Sequence, residues 1–340
     1  MNRKAPDEAI IGSEAKPPEG FTGRGIRFGK LSPSGFLLGK PCPRIGGARA
    51  GEGESSKQWG FKFLDANRFL TAYCLLLTAH CQQGGLMRTI AIANQKGGSG
   101  KTTTAVNLAA ALGEQGRRVL MVDLDPQHSA TSWFGIKNAG KGVLGLFTEN
   151  GNITEYLQAT GTPGVEVVPS SSWLVGVEKI LAGELGAETL LRRQLELLGQ
   201  DRFDYVLLDC PPTLGILTVN ALTAVRELLV PVEAHVMALS GLAQLLRTVE
   251  LVKERLNPDL RVCGILACRV DSRTRHSREV VERLRERPGD LVFKTVIREN
   301  VRLAECPSFG RPITLYDPKS AGAADYRALA QEIMAQEGGR

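Results

Sequence analysis

Three groups of residues in this chain have the types and spacing to handle a phosphate. The sharpest is the run Gln95-Lys96-Gly97-Gly98-Ser99-Gly100-Lys101-Thr102-Thr103. Glycines let backbone N–H groups converge on anionic oxygens with no side chain in the way. A helix starting just after them would add its positive end. Lys101 supplies a point charge for β- and γ-phosphates, and Thr102 a hydroxyl for Mg²⁺. The common G-x-x-x-x-G-K-[ST] pattern is not met, because Gln95 stands at its first glycine. An extra lysine, Lys96, follows instead. The second group is Asp123-Leu124-Asp125-Pro126-Gln127, with two carboxylates on one side of a strand end. The third is Tyr205-Val-Leu-Leu-Asp209-Cys-Pro-Pro212, an apolar run ending in a carboxylate suited to a metal or its water shell. Cys210 beside it reads as a small buried residue rather than a nucleophile.

These residues need a frame that brings strand ends together. Short apolar runs expected as strands lie at 89–94, 118–123, 165–169, 205–209, 227–232, 262–270 and 291–295. Segments with helical spacing lie at 102–115, 188–198, 239–256, 277–286 and 321–334. Strand–helix alternation over some 250 residues predicts an α/β fold, a mostly parallel twisted sheet with helices on both faces. In such a sheet, ligands bind at the carboxyl ends of the strands, where all three groups fall.

Composition narrows the field. With 43% apolar and 23% charged residues, the chain has material for a sizeable core. The seven cysteines are odd in number and form no C-x-x-C pair, and the four histidines are scattered. Neither a disulfide framework nor a zinc site is expected, which fits a reducing cytosol. The longest apolar run, 69–81, is interrupted by Thr71 and Thr78 and falls short of the roughly 20 residues that span a bilayer. Residues 1–86 hold 12 Lys/Arg against 7 Asp/Glu and show no sustained period. They are expected to be an N-terminal extension, disordered or not part of the natural protein, with Met87 as the start of the domain 87–340. Residues 261–311 carry a local excess, also 12 Lys/Arg against 7 Asp/Glu, which points to a nucleic-acid face.

The K-G-G-x-G-K-T run with its extra lysine is the deviant Walker A signature, and with D-x-D-P-Q it resembles the ParA/Soj family of partitioning ATPases. The resemblance spans about 87–333. It implies a P-loop ATPase with ATP and Mg²⁺ as cofactors. Lys96, Gly97, Gly98, Ser99, Gly100, Lys101, Thr102 and Thr103 would hold the phosphates. Lys96 would reach the partner's phosphates across a homodimer closed by ATP. Asp125 would orient the attacking water, Asp123 would support Mg²⁺ or the loop, and Asp209 with Thr102 would serve Mg²⁺. Lys96, Lys101 and Asp125 form the catalytic set. In Soj-like proteins, arginines at the positions of Arg273 and Arg302 contribute to nonspecific binding of double-stranded DNA, with Arg275, Arg278, Lys294 and Arg298 adding charge nearby. His235 and Ser240 stand where many relatives have glutamates. Ile297-Arg298-Glu299-Asn300 replaces the common Ile-Pro-Arg-Asn.

The function implied is a slow ATPase in the cytoplasm, on the nucleoid. It would segregate a chromosome or plasmid and be stimulated by a ParB-like partner. A ParA/MinD-like ATPase that positions a protein complex or septum on nucleoid or membrane is the alternative. The membrane form needs a basic amphipathic C-terminal helix, and the end of this chain has acidic residues on its polar side. An iron–sulfur relative would need paired cluster cysteines, which these spacings do not supply.

Overall fold

The computed structural model describes residues 87–149, 151–235, 238–286 and 291–339. Among these, seven strands form one sheet: β1 Arg88–Ile92, β2 Val119–Asp123, β3 Gln158–Ala159, β4 Val165–Val168, β5 Tyr205–Asp209, β6 Glu227–Glu233 and β7 Arg261–Cys268. Their order is β3-β4-β2-β5-β1-β6-β7. All neighbours pair in parallel except β3, which is antiparallel to β4. The longer helices are α1 Lys101–Glu114, α2 Ile216–Ala224, α3 Ala238–Arg255, α4 Arg275–Arg285 and α5 Ala321–Ala335.

Every residue of β1, β2 and β5 is buried, because helices cover both faces of the sheet. Alternation sorts their side chains. Ile90 and Ile92 pack with Val106, Leu112 and Tyr326 from α1 and α5. Ala91 and Ala93 face the other side, with Leu217, Leu245 and Val249 from α2 and α3. The register then fixes the site. Ile92 and Asp123 both pair with Asp209. The ends of β1, β2 and β5 are therefore level, and the loops leaving them start side by side.

The strand expected at 291–295 is not formed. Only one isolated bridge, Ile265–Val292, ties this stretch to β7, and a second, Val270–Arg298, lies just beyond both segments. The amides of Lys294 and Thr295 donate instead to the Glu332 carboxylate on α5, at 2.7 and 3.0 Å, so a ladder cannot continue. The Phe293 ring also lies over Gly264, where a Cβ would come within 2.3 Å of it. Strand β3, helix α2 and short helices such as Ser129–Trp133, Gly142–Thr148 and Val301–Glu305 were not anticipated. The expectations for 1–86, including the apolar run 69–81, lie outside the described residues. Among the described residues no helix is long and apolar enough to cross a membrane.

Candidate active site

Between β1 and α1 the chain makes a bare-backbone cradle. Gly98 and Gly100 have φ of 73° and 90°, a region that L side chains avoid. A Cβ added at Gly97 or Gly98 would meet nothing within 4 Å, so the space in front of this loop is open. Gly100 caps α1 without any side-chain hydrogen bond, which leaves amides of the first turn directed at the cradle. Asn94 pins the loop. Its Nδ2 donates to the Pro231 carbonyl at 2.6 Å, and its Oδ1 accepts the Lys96 N–H at 3.0 Å. Lys101 is buried and donates to the Lys96 carbonyl at 3.2 Å. Burial lowers its pKa, while Asp209, Cys210 and Asp125 pull the other way. The Ser99 hydroxyl is buried without a hydrogen-bond partner.

Facing Lys101 are the carboxylates of the strand ends. Asp209 is fully buried, and neither of its oxygens closes a hydrogen bond of good geometry among the described residues, although the Thr102 hydroxyl stands close enough to act on it. Burial and then Asp123 push its pKa well above the ordinary range, against the Thr102 hydroxyl and Lys101. Two orphaned, desolvated oxygens beside a phosphate cradle are what a divalent cation or its water shell would satisfy, so the residues present fit Mg²⁺. Asp123 is differently employed. Its Oδ2 accepts from the Thr131 N–H and hydroxyl at 2.8 and 2.7 Å, and its Oδ1 from the Asp125 N–H at 3.2 Å. Burial raises its pKa to about 6 despite those bonds. Asp125 lines the cavity, with one oxygen accepting the Gln127 N–H at 2.9 Å. Cys210 is fully buried and its thiol pKa is pushed up by that burial, as a packing residue requires.

Lys96 is not in the cradle. Its Nζ lies 2.6 Å from Glu233 Oε2 at the end of β6. This contact is the first cause of the lowered Glu233 pKa. Glu233 Oε1 also accepts from Arg269 at 3.1 Å, and Arg269 lies 3.7 Å from Glu299. Arg269 holds φ at 53°, an uncommon backbone for a non-glycine residue.

A cavity of about 850 Å³ opens over the cradle, lined among others by Gly97, Lys101, Asp125, Pro212, Arg269 and Asn300. That volume is in the range of nucleotide- and drug-sized sites. Arg273 and Arg298 line it too, whereas Arg302, Arg275, Arg278 and Lys294 do not. Arg273 is 86% exposed, with its guanidinium forked on Asp271, and Arg302 is 59% exposed beside Glu305 and Asp317. Arg275 pairs with Glu279 one helical turn on. Arg298 is committed to Asp325 through Nε and a terminal nitrogen. Arg278 and Lys294 are exposed. Asn94, Thr131, Ser170, Glu233 and Arg269 are the polar residues of the site that sequence reasoning did not single out. All but Thr131, which lies on the short helix Ser129–Trp133, stand at or just beyond a strand end, and that position was the available signal.

A sequence profile described as an AAA domain matches residues 87–262. The chain is 46% identical over 250 residues to the sporulation initiation inhibitor protein Soj of Bacillus subtilis, spanning 73% of this chain and 98% of that protein. Identity to the chromosome partitioning protein ParA of Myxococcus xanthus is 46% over 252 residues, spanning 74% and 89%. Among solved structures, cobyrinic acid a,c-diamide synthase of Mycobacterium smegmatis with bound ADP and magnesium aligns with a TM-score of 0.66. It is 37% identical and covers 75% of this chain and 97% of that chain.

Proposed function

From a chain that belongs to the ParA/Soj family of P-loop ATPases, we propose an ATP-driven switch that partitions DNA. One observation carries the reading. The open cradle at Gly97–Gly100, Lys101 and the two orphaned oxygens of Asp209 meet at one sheet edge, while Lys96 stands apart on Glu233. A triphosphate fits the cradle through loop amides and Lys101. Thr102 and Asp209 are the residues that would hold Mg²⁺, which neutralises charge on the β- and γ-phosphates when bound. That a relative was crystallised with ADP and magnesium supports a nucleotide with Mg²⁺ as the ligand.

In hydrolysis a water attacks the γ-phosphorus while the bond to the bridging β-oxygen breaks, and no phosphoenzyme forms. Asp125 orients that water, and Asp123 organises the loop that carries it. Lys96 leaves Glu233 and reaches the phosphates of a second copy, so that ATP closes a homodimer. Turnover by one chain alone is slow because its site is incomplete. The dimer presents Arg273 and Arg302 to DNA phosphates. Their present ion pairs are exposed and readily exchanged, and binding to phosphates is salt-dependent and indifferent to sequence. A ParB-like partner accelerates hydrolysis and releases the DNA.

The test is retention of the purified chain on random duplex DNA. Retention is expected with Mg²⁺ and ATP and not with ADP, and is expected to fall steeply with salt. Absence of any affinity for Mg²⁺–ATP would sink the reading.

A further inference from the structure

The residue assigned to orient the attacking water sits in a loop whose backbone is held from outside the cavity. The parallel register pairs Val122 with Val168. Continued two residues beyond β4, it sets Ser170 beside the Leu124–Asp125 peptide. There Ser170 Oγ donates to the Asp125 carbonyl at 2.8 Å, while the Ser170 N–H donates to Thr131 Oγ1 at 2.8 Å. The Thr131 hydroxyl donates to Asp123 Oδ2 at 2.7 Å, and Asp123 Oδ1 accepts the Asp125 N–H at 3.2 Å. These bonds close a ring through Asp123, Thr131, Ser170 and Asp125. All four residues are at most 8% exposed. The sequence offers three consecutive serines here, Ser170, Ser171 and Ser172, and the register selects the first.

The ring fixes the Asp125 peptide at both ends, its N–H by Asp123 and its carbonyl by Ser170. The His128 N–H adds a third bond, to the same carbonyl, at 2.8 Å. One carboxylate oxygen of Asp125 is occupied by the Gln127 N–H at 2.9 Å. The other makes no hydrogen bond among the described residues and belongs to a side chain that lines the cavity. We propose that Thr131 and Ser170 are positioning residues for ATP hydrolysis, holding the Asp125 backbone so that this second oxygen stands where the water must be. Neither residue lines the cavity, and both hydroxyls are already engaged within the ring, so their effect passes through Asp125. A displacement near 1 Å at such a point costs about a hundredfold in rate, whereas phosphate binding by the cradle is untouched. The inference rests on the role of Asp125 given above.

The test uses the full chain as Thr131→Val, Thr131→Ser, Ser170→Ala and the Thr131→Val/Ser170→Ala double variant, with the parent and Asp125→Ala as references. Single-turnover hydrolysis at saturating Mg²⁺–ATP is read beside affinity for a fluorescent ATP analogue and thermal melting. Thr131→Val and Ser170→Ala should each lower the hydrolysis rate about 10- to 100-fold, with affinity within about threefold of the parent. Thr131→Ser, which keeps the hydroxyl, should restore most of the rate. The double variant should be little slower than the worse single, because both act through one ring. Unchanged rates, or affinity lost in step with rate, would overturn the proposal while Asp125→Ala remains inactive. An Asp125→Ala protein as fast as the parent would instead remove the reading it rests on.

Discussion

Glu233 holds Lys96 in the single chain, so neutralising it should favour the ATP-closed dimer. The Nζ–Oε2 distance is 2.6 Å, with the side chains 34% and 22% exposed. A half-exposed pair of this kind is worth about 0.2–1 kcal/mol. If Lys96 must leave Glu233 to reach the second copy's phosphates, that amount opposes closure once per chain and twice per dimer. Glu233→Gln keeps the shape and removes the charge. It should therefore favour dimerisation by about 0.4–2 kcal/mol, or roughly 2- to 30-fold at about 1.4 kcal/mol per decade. Sedimentation equilibrium with Mg²⁺–ATP would measure this, with Asp125→Ala in both arms to prevent hydrolysis. ATP affinity of the monomer should not change, and the difference should shrink at high salt, where exposed pairs are screened. Lys96→Ala should abolish the dimer in either background. Equal or weaker dimerisation by Glu233→Gln would refute the reasoning, because it would show that Glu233 does not restrain the lysine or that it works in the closed state.

Three further outcomes are expected. Arg273→Glu with Arg302→Glu should remove ATP-dependent retention on random DNA and leave dimerisation intact, as read by pull-down and light scattering. Arg298→Glu should instead lower the melting temperature, because it sets two carboxylates against each other where Asp325 now holds a guanidinium. The metal-free, nucleotide-free protein should lose stability as pH rises from about 4 to about 6. Burial lifts the folded pKa of Asp123 to about 6 from an ordinary 3.8, so over that window the folded state binds the extra proton, and above it the penalty is complete. Melting curves of chelator-treated protein across this range would show no fall if the carboxyls were in fact well solvated.

The glycine-rich loop between β1 and α1 was legible because its constraint is local. Positive φ at Gly98 and Gly100 and a strand–helix junction are written into consecutive residues. The central strands were legible for the same reason, each being an apolar run buried on both faces. What the sequence hid is what depends on register and on distant partners. Nothing local marks Glu332 as the acceptor that captures the amides of Lys294 and Thr295 and interrupts the expected strand. Nothing local marks Ser170 or Glu233 either. Each becomes part of the site only when β4 aligns with β2, or β6 with β1. Arg298 adds a case: nothing local marks Asp325, 27 residues later, as the carboxylate that pairs with its guanidinium.

The charges around the cradle argue that nucleotide and metal arrive together. Asp209 and Asp123 are fully buried, Asp125 lines the cavity, and Lys101 is the cation the cradle itself places among them. A bare triphosphate would bring its negative charges toward these carboxylates. At about 5 Å and an effective dielectric near 20, each like-charge pair costs on the order of 3 kcal/mol. Affinity for ATP should therefore fall at least about 100-fold when EDTA removes divalent ions. The orphaned oxygens of Asp209 make the assignment specific. Asp209→Asn removes one of the repelling charges and also the metal anchor proposed above, so it should tighten binding of metal-free ATP while weakening that of Mg²⁺–ATP. It should also raise the melting temperature of the empty protein at neutral pH, because a desolvated carboxylate is gone. Isothermal titration of parent and variant with and without Mg²⁺ measures both signs. If Asp209→Asn weakened the two forms of ATP equally, Asp209 would be a packing residue of β5 and the metal would have to be held elsewhere.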